Sequence, residues 1–437
     1  MKRILLINII LSSILIGQIK QLTLEESLEL GLRSSKELKI SQSKVTASDA
    51  KISEVGSMLL PKLSLNASYT RLSEVDPFQV TVPFSPMPIQ IQESIFDNYG
   101  LQLSLQQPLF TGFKLMSLRK AAKYSFEAQT VEHTKEINET ALRIRTAFWS
   151  FYKAQKVSEL IEENLKALAK HLKNTREFLE NGLVTKNDLL KIDVQYSNLK
   201  LKKIDAQNNV NLARVNFNKA VGLRLDEPTQ IKIDDNFFDV TVYKYDDLLN
   251  EALEKREELK ALGLKIKAGE ENISAAQSGW FPAFYLFGHI NYNKPNQRIL
   301  PLENKFNSTW GVGVSMNWSL WDWGNTKAKT IQAEQQVIQT EEMLKLLKEG
   351  VETEVYRNYL KLISESDKVE VSKKVIESAE ENYRITNEKY LQQLATSSDL
   401  IDAEVELLNA KTQLATSKVD LELAKTELEK SVGRKIY

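Results

Sequence analysis

The residues able to do chemistry are few and badly placed for it. The 437-residue chain has no cysteine and only three histidines, His133, His171 and His289. Thiolate nucleophiles, disulfides and cysteine metal sites drop out, and the histidines stand too far apart for ligand spacing. No nucleophile–base pairing, phosphate loop or metal cluster is visible, so the reading is of a protein that is not an enzyme and carries no cofactor and no metal. Three acids stand out instead: Asp188, Asp399 and Asp402. Thr185-x-x-Asp188 and Thr396-x-x-Asp399 fit the helix N-terminal capping box, in which threonine and acid each satisfy the other's backbone N–H. Asp402 lies beyond the first turn, where capping accounts for it less well.

What holds these acids is a helical chain interrupted by a few strands. Lysine plus arginine equals aspartate plus glutamate at 58 each, which removes the electrostatic case for nucleic-acid binding. The N-terminus, MKRILLINIILSSILIG, reads as a secretory signal over residues 1–18: a basic start and an apolar run too short for a stable span. No later stretch is long and apolar enough for a transmembrane helix. Leu22 to about Met58 reads as one helix, ended by Pro61. Leu63–Thr70 alternates apolar and polar residues, as does Tyr99–Leu109, with a proline-rich irregular loop over 71–98 between them. A very long helical pattern covers Phe113–Leu179. Asn181-Gly182 breaks it, and a second helix follows over Asp188–Val221. That helix carries a coiled-coil seam of Leu189, Ile192, Tyr196, Leu199, Ala206, Val210, Ala213, Phe217 and Ala220.

The chain then repeats itself. Residues 99–222 lie on 310–433 at a constant offset of 211, with Gly100 on Gly311, Thr185 on Thr396, Asp188 on Asp399 and Gly222 on Gly433. Residues 22–70 lie on 243–291 at an offset of 221, with Leu28 on Leu249 and Pro61 on Pro282. Each copy, 19–222 and 243–437, reads helix, strand, strand, long helix, helix, with strands near 63–70 and 99–109, then 284–292 and 310–320. Residues 223–242 form a short non-helical insert between the copies.

The strand around Trp310–Gly324, WGVGVSMNWSLWDWG, sets the architecture. Val312, Val314, Met316, Trp318 and Leu320 share one face, and Gly313, Ser315, Asn317 and Ser319 share the other. Nine to eleven residues is the length of a tilted membrane-spanning β-strand. Aromatic residues mark both ends, as interface girdles require. A strand edge cannot stay unpaired in lipid. Four strands do not close a barrel, so the chain must oligomerise: two copies give eight strands and a filled interior, three give twelve and an open lumen. The long helix is about 100 Å, close to the summed length of the two shorter ones, which favours stacking these end to end beside it.

These features resemble the TolC family of outer-membrane efflux proteins. The resemblance spans the mature chain and rests on the tandem repeat, Pro61 and Pro282, the turns QPLFTGF (107–113) and WSLWDWGN (318–325), and the segments GLVTKNDLL and LATSSDLIDAE. It implies a mainly α chain with membrane β: a homotrimeric 12-stranded barrel in the outer membrane, continuous with a long α-helical barrel in the periplasm. It also implies docking to a periplasmic adaptor and an inner-membrane pump. Residues 223–242 would lie in the family's equatorial belt, whose C-terminal part is nearly absent here. Asp399 and Asp402 match the family's paired pore aspartates, with Asp188 the repeat-related partner. Gly182, Leu183 and Val184 match the adaptor-contacting tip, and Leu394 and Ala395 its second copy. That second tip lacks the glycine, so a different turn is expected. An arginine that locks the best-described family gate is Ala395 here, so its salt bridges do not carry over.

The function this implies is a passive exit duct of a tripartite efflux or type I secretion system, with Ser64, Asn66, Gln102, Ser104, Ser315 and Asn317 facing the lumen and apolar residues facing lipid. A competing reading is an exported coiled-coil scaffold without channel activity. Six methionines and three scattered histidines make no soft-metal relay, which disfavours a copper or silver cargo; drugs and proteins stay undivided.

Overall fold

The computed structural model describes residues 20–76, 79–84, 87–90, 94–233 and 243–437; the signal segment lies outside them. The elements run β1 (Lys20–Leu22), α1 (Leu24–Ser34), α2 (Lys36–Ser57), β2 (Lys62–Arg71), β3 (Gln79–Val80), β4 (Ile89–Gln90), β5 (Asp97–Thr111), α3 (Lys114–Glu180) and α4 (Lys186–Val221). The second half follows with β6 (Thr229–Ile231), α5 (Tyr245–Lys255), α6 (Glu257–Gln277), β7 (Ala283–Lys294), β8 (Asn307–Asn317), α7 (Asn325–Leu391) and α8 (Ser397–Ser431). The chain is mainly α, and the two halves repeat helices, strand, strand, long helix, helix. Two compact units result: residues up to Gln42 with Glu132–Leu259 and Leu347–Tyr437, and Ser43–Val131 with Lys260–Leu346.

In the first unit the coiled-coil seam becomes a core. Ile144, Phe148, Trp149 and Phe151 of α3 pack with Phe217 and Val221 of α4, Val419 of α8, and Leu24 and Leu28 of α1. Burying each large apolar side chain contributes roughly 1.5–3 kcal/mol. Gly31 lets α1 approach: a Cβ there would meet Ile144 Cδ1 at 2.5 Å and the Ala220 carbonyl at 3.2 Å. A second cluster joins Leu160, Ile161, Leu165 and Leu168 of α3 to Ile192, Leu199 and Ala206 of α4 and Leu408 of α8. Of the insert between the copies, Thr229–Ile231 pairs in parallel with Lys20–Leu22, and 234–242 lie outside the described residues. The chain's end is held firmly. Arg434 reaches both Glu251 oxygens at 3.0 and 2.7 Å, Arg145 Nε donates to the Ile436 carbonyl at 2.7 Å, and Ile436 is buried. The Arg434 hydrogen bonds hold the Glu251 carboxyl down at about 2.

The single helix expected over Leu22–Met58 is in fact two. Ser35, with φ −59° and ψ 126°, leaves helical geometry between α1 and α2, and its hydroxyl accepts from Leu38 N–H at 3.2 Å to start α2. The break is duplicated. Arg256, at the repeat offset of 221, has φ −58° and ψ 126° between α5 and α6. Its buried guanidinium bridges Glu258 and Glu354.

The second unit holds an antiparallel sheet of order β2-β5-β7-β8. Ser64 pairs with Ser104, Ser104 with His289 and His289 with Gly311; the next row is Asn66, Gln102, Asn291 and Thr309. Neither β2 nor β8 has a second strand partner among the described residues. The final strand starts earlier and ends earlier than the pattern 310–320. It stops at Asn317 because the next residues build the start of α7: Asp322 accepts from Gly324 N–H, Thr326 N–H and the Thr326 hydroxyl at 2.5–3.0 Å. The loop read as irregular over 71–98 contains the β3–β4 pairing.

Candidate functional site

Two constellations emerge, one in each unit. In the first unit, α3 and α7 each end in a turn that hands the chain to α4 and α8. Gly182 takes φ 74°, and Gln393, its mate at the 211 offset, takes φ 62°. The second turn therefore does not differ for want of glycine: Gln393 adopts the left-handed conformation itself, and Leu183 N–H to Phe178 O has its counterpart in Leu394 N–H to Lys389 O. This closure satisfies helix-end carbonyls and offsets the left-handed backbone cost. Leu183 and Leu394 stand exposed at the two turns, Gly182 with them, while Val184 and Ala395 are half-buried.

Asp188 and Asp399 are capping residues. Asp188 Oδ2 accepts from Thr185 N–H at 3.0 Å and from the Thr185 hydroxyl at 2.6 Å, and Thr185 Oγ1 accepts from Asp188 N–H at 3.2 Å. Asp399 repeats this with Thr396 at 2.8, 2.6 and 3.2 Å. The threonine hydroxyl first, then its backbone N–H, holds each carboxyl below the usual aspartate range. Both therefore stay ionised, so capping and a charged surface role coexist. Asp402 is exposed and takes no part in either cap. It lines a surface groove of about 450 Å³ with Asn187, Leu190, Lys191, Val194 and Ile401. Lys191 Nζ donates to Ser398 Oγ at 3.1 Å across that groove, joining the starts of α4 and α8.

Sequence reasoning missed the buried polar cluster between α3, α7 and α8. His171 Nδ1 lies 3.4 Å from Glu404 Oε2, and the Thr175 and Tyr390 hydroxyls are 2.6 Å apart. The His171 and Tyr390 rings meet edge to face at 4.8 Å. All four side chains are buried. The signal was present: His171 and Thr175 continue the three-and-four spacing from Leu168, so polar residues occupy core-facing positions. This cluster ties α3, α7 and α8 together.

In the second unit the two faces of the sheet differ in polarity along the middle of the strands. Ser64, Asn66, Gln102, Ser104 and Ser315 lie on one side with Asn317 at the strand end, and Ser64 Oγ meets Ser104 Oγ at 2.8 Å. The opposite face carries Leu63, Leu65, Leu101, Leu103, Leu105, Trp310, Val312, Val314 and Met316, all exposed. Trp318, Trp321 and Trp323 are exposed beyond the end of β8. No helix among the described residues is long and apolar enough to cross a membrane.

A sequence model of the outer membrane efflux proteins matches residues 28–223 and 248–434. The outer membrane protein TolC of Escherichia coli is 23% identical over 384 residues, covering 86% of this chain and 74% of that protein. TolC of Vibrio cholerae is 23% identical over 280 residues, and the match covers 64% of this chain and 60% of the relative. In fold, the chain is similar to the outer membrane protein VceC of Vibrio cholerae, with a TM-score of 0.78 at 17% identity over 95% of this chain and 97% of that one.

Proposed function

The chain belongs to the outer membrane efflux protein family, a family of channels and not of enzymes, and from that premise we propose that it is the passive exit duct of a tripartite efflux or type I secretion system. Three copies close a 12-stranded barrel in the outer membrane, and their helices continue it into the periplasm. The observation that carries this reading is the sheet: one face apolar and exposed along its middle with the Arg71–Asp97 ion pair at its end, an opposite face richer in polar residues, and two strand edges without partners among the described residues. Water leaves that apolar face uncovered, and hydrocarbon leaves the edge N–H and C=O groups unsatisfied. Lipid covers the face, and β8 of one copy pairing with β2 of the next removes the edges.

The helices support the same assembly. Leu190, Val194, Leu201, Ile204 and Leu212 form an exposed apolar stripe along α4, and Tyr356, Leu360, Ile363, Val371 and Val375 another along α7. Both follow coiled-coil spacing and suit packing against further copies. The exposed Leu183 and Leu394 turns are the adaptor-contacting tip, and Asp402, with Asp188 and Asp399, contributes carboxylates to the pore entrance. Threefold repetition makes a cation-attracting ring. An inner-membrane pump supplies the energy. The signal segment 1–18, the copies 19–222 and 243–437 and the belt insert 223–242 complete the organisation.

Reconstitution tests this. Detergent-solubilised protein should run as a trimer and conduct ions in a planar bilayer. Block by a multivalent cation should weaken in Asp402→Asn, the one pore acid that removes no cap. A monomer that stays soluble without detergent and conducts nothing would return the chain to the scaffold reading.

A further inference from the structure

Two glycines of β8 sit where the backbone does not require them. Gly311 and Gly313 are absent from the positive-φ residues of the chain, and glycine in a strand interior weakens it. Space explains them. A Cβ on Gly313 would stand 2.8 Å from Phe287 Cζ and 3.2 Å from Cε1; one on Gly311 would stand 2.9 Å from His289 Cε1 and 3.0 Å from Nε2. Carbons in ordinary contact keep about 3.5–4.0 Å. Phe287 pairs with Gly313 and His289 with Gly311 across β7 and β8. Their rings are parallel to within 2°, with centroids 6.2 Å apart. Both rings therefore lie over the bare backbone of β8, on the same face as Ser104 and Ser315.

We infer that Gly311 and Gly313 set the calibre of the lumen, by giving Phe287 and His289 a place to lie flat against the wall. The inference rests on the barrel reading above, in which this face lines the duct. A methyl group on either glycine occupies the ring's resting place. The sheet backbone beneath is hydrogen-bonded and cannot yield, so the ring swings off the wall towards the axis. Three copies repeat this around one cross-section, and large solutes lose passage before small ones do. The glycines are thus positioning residues for cargo size, acting through the rings.

The chain's lack of cysteine permits single-site labelling of the full-length protein in intact cells. Ser315→Cys lies on the helix side of both ring pairs, and Asn291→Cys lies on the loop side. Maleimides on polyethylene glycol chains of increasing length, added outside, measure a size cut-off at each. Adding Gly311→Ala and Gly313→Ala should shift the cut-off at 315 to shorter reagents and leave that at 291 unchanged. Adding Phe287→Ala and His289→Ala as well should restore it. The ring truncations alone, with the glycines intact, should leave the cut-off at 315 where it was. An unmoved cut-off in the glycine variants, or one that ring removal does not restore, overturns the inference. So does a wide opening produced by the ring truncations alone, since the rings would then already stand in the lumen. Absence of labelling at both positions by the smallest reagent would instead sink the duct reading itself.

Discussion

Phe148, Phe151 and Phe217 in the helical unit are withdrawn from water, whereas Leu63, Leu65, Trp310 and Val312 of the sheet stand 64–71% exposed. The same hydrophobic effect cannot favour both in water. The helices obey the ordinary rule in their core, where the apolar seam is buried, and depart from it only along the exposed stripes of α4 and α7. The sheet inverts it, keeping amides and hydroxyls on its less exposed face. In the proposed duct the difference corresponds to two solvents for one chain: water around the helices, hydrocarbon around the strands.

The contrast breaks first in the helical core. Phe217→Ala should cost about 3–5 kcal/mol, read as a lowered unfolding midpoint of the helical signal. Val312→Ala on the sheet should cost a small fraction of that, because lipid fills the space a cavity would leave. Equal losses would mean that the sheet face is packed against protein. The next largest effect concerns charge. Val312→Arg, at the middle of β8, should destabilise insertion into lipid vesicles by about 2–4 kcal/mol, while Ser104→Arg should insert nearly as well as the parent. A reversal would exchange the lumenal and lipid faces.

The smallest effect sharpens the helical side. Glu422 is buried on α8, and that burial, only partly offset by Lys425, pushes its carboxyl up to about 7. A folded value above the ordinary 4.5 disfavours the charged form in the native state. Its contribution is therefore fully present below about pH 4.5 and is lost as pH rises through 7. Glu422→Gln should raise stability at pH 8 relative to pH 5 by on the order of 1–3 kcal/mol, measured by denaturant unfolding at both pH values. An unchanged pH slope would show that water reaches this carboxylate.

Particular residues show what a reader of the sequence sees. The alternation of Leu63–Thr70 and Tyr99–Leu109, and the seam through Ile192, Leu199, Ala206 and Phe217, are periodic signals that local geometry alone enforces. Thr185 with Asp188, and Thr396 with Asp399, are legible because a capping box closes within three residues. The break at Ser35 was not legible, since the apolar pattern runs on across it. The left-handed Gln393 was hidden because identity argues against it, while the turn's backbone hydrogen bonds, Leu394 N–H to Lys389 O and Gln393 N–H to Tyr390 O, offset that.

The chain's periodicity, its duplication and its two-faced strands follow from the sequence by itself, since each depends on residues adjacent or at a constant spacing. Tertiary structure alone decided that His171 meets Glu404, that Arg434 clasps Glu251, and that Phe287 and His289 lie over Gly313 and Gly311. Such contacts join residues on different elements, and their register is set by packing that no local spacing encodes.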